Sequence, residues 1–567
     1  MALLPPLLSL RSFAGLLLLL LVGLGAATPP DDVRTHLRVR LEAARAGSTG
    51  AMTVADERVL TRRAVARYYR AAAFEPAWTG PDGPASHADS LLAVLRDAPR
   101  DGLRPENYHV STLDSLARHL RAQARTGQPL DARVLADFDL LCTDAFLLFG
   151  SHLMNGRVDP VTVVPSWTLD HREKDLVRHL QDALDNSSIR AVLAGLRPPQ
   201  PEYDALRRAL TLYRTLASRG GWPTVPDGPT LEEGMQDDRV PLLRRRLRAT
   251  GDLPADPSAA NSLLFDDDLR QAVGRFQERH GLHIDGIVGP STRAVMNVPV
   301  KTRIRQIEVN LERRRWLPAS LGDPHILVNI ADFWLRVVEA DRYSLQMRVV
   351  VGTRYRQTPI FSDEISYLVF NPYWHVPHRI SVEDKLPDFQ SDPSLVSRLG
   401  FEVFDGWGGD ATQVDPSTIA WNSLSASNFP YRLRQRPGPT NALGRIKFMF
   451  PNPHNVYLHD TPSRSDFRRT NRSFSSGCIR VEYPVDLAAF LLRHNDGWTE
   501  ARIQDAMKGD TERGVILKRK VPVHLLYWTA WMEDADTIHF RNDIYQRDDA
   551  VAAALSTAPT PASLPQR

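Results

Sequence analysis

One of the two cysteines in this 567-residue chain, Cys478, lies in "NRSFSSGCIRVEYP" between Gly477 and Ile479, two positions before Arg480. Core cysteines sit among apolar neighbours. A thiol in a run of small polar residues is placed instead for attack on an electrophile. It needs a base, because a thiol titrates near ~8.5 and is mostly protonated at neutral pH. "PHNVYLHDTP" supplies one. Read as a short strand, it sends Val456 and Leu458 to the core while Tyr457 and His459 project together on the other side. Cys478 and His459 are the candidate catalytic pair. Gly477 lets a ligand approach the main chain closely, and the amides beside it and Ser476 offer a hole for an anion. Arg480 stays charged, so it either holds a substrate carboxylate or fixes the turn by bonding backbone carbonyls.

Other residues bear on this chemistry. Cys142 sits in "DFDLLCTDAFLLFG" with Phe138, Leu141, Phe146 and Leu148, as a core residue of a buried helix would. In an oxidising compartment two cysteines also invite a disulfide, which would end the nucleophile reading. "YW" at 373–374 offers an aromatic wall for a ligand, with Trp374 the better candidate, or ordinary core packing. "HVPH" places His375 and His378 three apart, but Pro377 opposes a helix presenting both, and no H-E-x-x-H is present. No metal and no cofactor is expected.

The elements that must position these groups fall into several units, as the chain length demands. A net charge of +3 gives no reason to expect nucleic acid as a partner. Arg11 and the 15-residue apolar run "FAGLLLLLLVGLGAA", shorter than the ~20 residues of a spanning helix, read as a signal peptide over 1–27. The protein is therefore expected to be exported and periplasmic, or held at the inner membrane by an uncleaved signal. Residues 28–233 read as a helical scaffold with helix-period segments such as "HADSLLAVLRDA" and "EYDALRRALTLYRTLAS". Residues 234–298 read as a small three-helix module, and 299–323 as a connecting helix. Residues 324–520 are strand-rich, opening with "HILVNI" and "LQMRVVVG". Within them, about 378–443 is a long insertion with little strand pattern, as a functional lid would be. Residues 521–567 read as a C-terminal segment and disordered tail. The fold class is α+β multidomain.

In "DDDLRQAVGRFQERHGL" and "IDGIVGPSTRAVMN", residues Phe276, Gln277, Gly281, Leu282, Asp285, Gly286, Gly289, Pro290 and Thr292 make the small module resemble the peptidoglycan-binding domain of bacterial wall enzymes. A spacer that has lost ligand binding is the alternative. "YLHDTP…SSGCIRV" resembles the active-site block of the L,D-transpeptidases of the YkuD family, and the whole arrangement is similar to the YcbB-like branch. That resemblance implies a mainly β catalytic domain with a capping insertion, Cys478 as nucleophile, and His459 as base and then acid. Around them stand substrate-binding residues Arg480, Tyr457, Gly477, Ser476 and Trp374. It further implies peptidoglycan stems as substrates, a cysteinyl thioester, direct diaminopimelate–diaminopimelate cross-links and acylation by carbapenems. Two positions depart from the family. Ser476 stands where many members carry a second histidine, and Asp460 where many carry glycine. The second is harmless if that position contributes its backbone carbonyl. The competing functions are a cysteine L,D-carboxypeptidase or peptidoglycan hydrolase, and a non-catalytic wall-binding protein. Other cell-wall synthesis enzymes are possible partners.

Overall fold

The computed structural model describes residues 32–46, 52–256, 258–533 and 536–559. The expected signal segment and the last residues of the tail lie outside the described residues. The helical domain is built on α1, Ala132–Asn155, which Asp131 caps by accepting the N–H groups of Arg133 and Val134. Its sequence is apolar nearly all round, so it is buried on nearly all sides. Helices Val33–Ala46, Arg62–Ala71, Val110–Arg125 and Leu176–Asp185 pack around it. α2, Pro201–Ser218, closes this part of the chain.

The small module holds α3, Val240–Ala249, α4, Asp267–Arg279, and α5, Pro290–Met296. Its core also takes in Val225 and Leu231, and Leu231 pairs with Val288. The module therefore begins some nine residues before the expected boundary at 234, because the Gly/Pro-rich segment is pinned to it instead of hanging free. The buried Gln277 explains much of the sequence motif. Its side chain donates to Asp285 Oδ1 (2.7 Å) and Thr292 Oγ1 (3.2 Å) and accepts from the Gly286 N–H (2.9 Å). These motif residues hold a turn together.

α6, Val300–Arg315, follows directly and ties all the parts to one another. Buried Glu312 accepts the amides of Arg157 (2.6 Å) and Val158 (2.7 Å) from the helical domain, and Arg315 beside it donates to Tyr203 Oη of α2 (2.9 Å). Asn310 Nδ2 donates to Thr529 Oγ1 (2.8 Å) near the C-terminus. A buried, charged helix of this kind persists because such polar groups find partners.

The strand-rich domain contains β1, His325–Asn329; β2, Trp334–Glu339; β3, Arg342–Gly352; and β4, Phe361–Phe370. After the insertion come β9, Ile446–Met449; β10, Leu458–His459; β11, Ser473–Ser475; β12, Ile479–Val481; and β13, Arg513–Leu526. The order β11-β3-β12-β10-β9-β4-β13-β1-β2, with β2 also pairing β3, closes the sheet into a barrel. Its interior is filled by Ile326, Val349, Leu368, Phe448, Leu458 and Ile479 among others. β13 runs across residue 520, so the expected domain end cuts a strand. Among the described residues beyond it are the paired strands Ala530–Met532 and Ile538–Phe540 and the helix Asp548–Ser556.

The insertion differs from expectation in kind. Strands β5, Trp374–His375; β6, Phe401–Asp405; β7, Thr412–Val414; and β8, Tyr431–Gln435 form a second, antiparallel sheet in the order β7-β6-β8-β5. It begins before His378 and has its own core of Val376, Phe389, Val403, Trp421 and Leu433. Its strands have two to five residues, too few for an alternation that stands out from the surrounding loops.

Candidate active site

β10 and β12 run parallel, with Leu458 opposite Ile479 and His459 opposite Arg480. β9 lies antiparallel on the other side, which sets Lys447 beside His459. Because side chains alternate along a strand, Lys447, Tyr457, His459, Cys478 and Arg480 emerge on one face. Leu458, Ile479 and Phe448 point the other way and are fully buried. The residues expected from sequence to carry chemistry are thus brought together, apart from Trp374. That side chain packs against Phe401 in the core of the insertion, with ring centroids 6.1 Å apart. The wall expectation for it is corrected: a large ring at the start of a small domain is used to build that domain.

The cysteine turn is held from below. Gly477 has φ +116°, which a side chain would strain. Its carbonyl accepts from Thr358 Oγ1 (2.8 Å), and its N–H donates to Ser475 Oγ (3.2 Å). The Ser475 hydroxyl in turn donates to the Cys478 carbonyl. The Thr358 N–H donates to the Tyr545 hydroxyl (3.2 Å), which itself donates to the Gly352 carbonyl (2.6 Å). The C-terminal segment therefore reaches under the nucleophile candidate. Ser476 is exposed, and its Oγ accepts from Arg356 Nη1 (2.8 Å). Arg356 also pairs with Glu383 and Asp384 of the insertion at 2.6 Å each, joining the turn to the cap. Nothing in the sequence pattern marks Arg356, Thr358 or Tyr545. Their roles come from contacts distant in the chain.

The Cys478 thiol is half-buried, that of Cys142 is buried, and both are free, so no disulfide joins the two. Its Sγ lies 3.8 Å from the Asn455 carbonyl. Burial pushes the thiol up, while Tyr457, Lys447 and Arg480 favour the thiolate. His459 is buried, and its Nδ1 lies 2.6 Å from the Asp460 carbonyl. Asp460 thus supplies its main chain to the ring, the contribution that made its departure from glycine harmless. Its own carboxylate accepts from the Arg445 N–H (2.8 Å) and pairs with Arg464 (2.9 Å). Gly444, at φ +62°, leaves the room: a Cβ there would come within 2.4 Å of the Asp460 carboxyl. Desolvation, then the charges of Arg480 and Lys447, hold the His459 imidazolium down to about 3. The ring is therefore neutral at pH 7, and burial and the two cations oppose its protonation. Arg480 Nη1 pairs with Asp466 (3.1 Å) and, among the described residues, bonds none of the turn's carbonyls. The turn rests on Ser475 and Thr358, while the Arg480 guanidinium is held by Asp466.

A half-exposed thiol, a neutral imidazole and two cations on one sheet face are suited to acyl transfer. Residues 323–521 match the profile described as "L,D-transpeptidase catalytic domain", YkuD. This part of the chain is a YkuD-family L,D-transpeptidase catalytic domain. Residues 63–210 match a "Scaffold domain" and 236–296 a "Putative peptidoglycan binding domain". The chain is 37% identical over 252 residues to a "Putative L,D-transpeptidase" of Haemophilus influenzae, covering 44% of this chain and 49% of that relative. It thus spans about half the length of that curated relative. A shorter stretch of 155 residues is 28% identical to epoxide hydrolase 1 of Sus scrofa, over 24% of this chain and 34% of that protein. A solved L,D-transpeptidase from Xylanimonas cellulosilytica is 16% identical, covering 53% of this chain and all of that one, with a TM-score of 0.17. No helix among the described residues is long and apolar enough to cross a membrane.

Proposed function

We propose that this protein is a cysteine-dependent L,D-transpeptidase of the YcbB-like kind, acting on peptidoglycan outside the cytoplasm. The observation that carries the reading is the placement of Cys478 and His459 on one face of adjacent strands within the L,D-transpeptidase domain. In the first half-reaction His459 takes the proton of Cys478. The sulfur attacks the carbonyl of the diaminopimelate residue in a donor tetrapeptide stem. The developing oxyanion meets the N–H of Cys478 itself, since the neighbouring amides of Gly477 and Ile479 are already bonded to Ser475 and Tyr457. The carbonyl re-forms, His459 returns the proton to the leaving D-alanine amine, and a thioester remains. In the second, the side-chain amine of an acceptor stem attacks the thioester and loses a proton to His459. The thiol leaves, giving a diaminopimelate–diaminopimelate link. Arg480 faces the site to receive a stem carboxylate, Tyr457 and Gly477 shape the turn's mouth, and Ser476 couples it to the cap.

The experiment is direct. Full-length protein incubated with purified tetrapeptide muropeptides should give cross-linked dimers by mass spectrometry, and Cys478→Ala none. Shortened stems without dimers would replace the reading with a carboxypeptidase or hydrolase. Dimers from Cys478→Ala would remove the cysteine from the mechanism.

A further inference from the structure

Lys447 is a half-buried cation without an acid to neutralise it. Among the described residues no carboxylate lies within ion-pair distance of its Nζ, whereas Arg480 across the same face is matched by Asp466. Removing an ammonium from water is costly unless something offsets it. The partial offset in the resting structure is the ring of Tyr457, whose centroid lies 4.1 Å from Nζ. The strand register fixes this placement. Lys447 on β9 is opposite His459, and its ammonium reaches over the ring of Tyr457, the residue just before β10.

We infer that Lys447 is an electrostatic positioning residue whose ammonium, seated on Tyr457, stabilises the Cys478 thiolate and so sets how much of the nucleophile is ionised. The inference rests on the reading of Cys478 as the nucleophile. The charged and titratable groups acting on the thiol are Lys447 from β9, Tyr457 just before β10, and Arg480 from β12, with His459 of β10 on the same face. Glu512 acts on the lysine from the start of β13. His459 is neutral, and Arg480 already has its acid. That leaves Lys447 as the cation with no carboxylate in contact among the described residues, Glu512 acting on it only from a distance. Burial lowers the lysine's own proton affinity, and the Cys478 thiolate raises it, as a mutual attraction requires.

The test uses iodoacetamide, which needs no peptidoglycan. The thiol proton passes to solvent, the thiolate forms an S–C bond, and iodide leaves. The rate at Cys478 is followed from pH 6 to pH 10 in the full chain, with Cys142 resolved by peptide mass. In Lys447→Met the profile should move up by about one pH unit, a roughly tenfold slower reaction at pH 7. It should converge with wild type at high pH, while Lys447→Arg stays close to wild type throughout. Superimposed profiles, or a uniform fall at every pH, would overturn the inference. If Lys447→Met melts early, Lys447→Gln is read by the same criterion. Failure of dimer formation with a normal lysine effect would sink the transpeptidase reading alone.

Discussion

Around Cys142, at the middle of α1, every polar group is already engaged. Asp139, one turn away, accepts from Tyr69 Oη (2.6 Å), the amides of Ala77 (2.7 Å) and Trp78 (2.9 Å), and Thr79 Oγ1 (2.8 Å). Asp144 accepts from the amides of Leu60 (3.1 Å) and Thr61 (2.6 Å) and bonds His109 (2.9 Å). Both acids are fully buried, and burial pushes the Cys142 thiol far up. Around Cys478 the balance is reversed. The thiol is half-exposed, its own amide is unengaged among the described residues, and Lys447 lacks an acid. A satisfied polar network fixes a fold; polar groups left partly unsatisfied on one exposed face wait for a substrate. The same side chain is inert in one setting and poised in the other.

The largest way to break this comparison is at His459. His459→Ala leaves Cys478 in place but removes the neutral base beside it. Acylation by a carbapenem or a muropeptide should fall by ~10²–10⁴-fold, the usual range for general-base loss. Intact-mass kinetics would show it, and a wild-type rate would dissolve the pairing of the two residues. The alkylation of Cys142, measured in the same sample, should stay slow.

Much of this site was legible because it is local. Tyr457 and His459 against Val456 and Leu458 is a period-two pattern within four residues, and the barrel buries the second pair as alternation requires. Gly477 next to Cys478 was read as room for a ligand to approach the main chain, and the structure adds a positive φ there. What stayed hidden is non-local. Lys447 joins the site only through the β9–β10 register, Thr358 and Tyr545 through contacts across the fold, and Arg356 through an ion pair to the cap. Trp374 misled for the converse reason, since an aromatic pair reads the same whether it lines a cleft or fills a core. The cap's sheet was missed because strands of two to five residues carry too few alternations to register.

A smaller effect separates the regions by pH. Burial holds down seven of the described histidines, four of them to about 3 or 4: His152 in the helical domain at about 3, and His459, His524 and His539 in the C-terminal half at about 3, 4 and 4. Their unfolded value is near ~6.5. Between these values the unfolded chain binds protons that the native one does not, so stability falls as pH drops below about 6.5. At pH 5 each group costs roughly 2 kcal/mol. Melting temperature should therefore fall from pH 8 to pH 5, with three of the four groups acting on the catalytic half. A flat profile would mean that these rings are solvated.

The smallest expected change is at Cys142 itself. Cys142→Ser keeps the side-chain size nearly constant but buries a hydroxyl where the helix is surrounded by leucines and phenylalanines. An unpartnered buried hydroxyl costs ~1–3 kcal/mol in proteins. On a helix, however, serine can donate back to the carbonyl four residues earlier, here Phe138, which recovers part of that cost. The net should lie near ~1 kcal/mol, a fall of about 2–4 °C in the melting of a domain this size. Cys478 lies in another domain and shares no partner with Cys142, so its alkylation and acylation rates should not change. If the substitution slowed Cys478 while leaving the melting temperature where it was, the division between a structural and a reactive cysteine would be wrong.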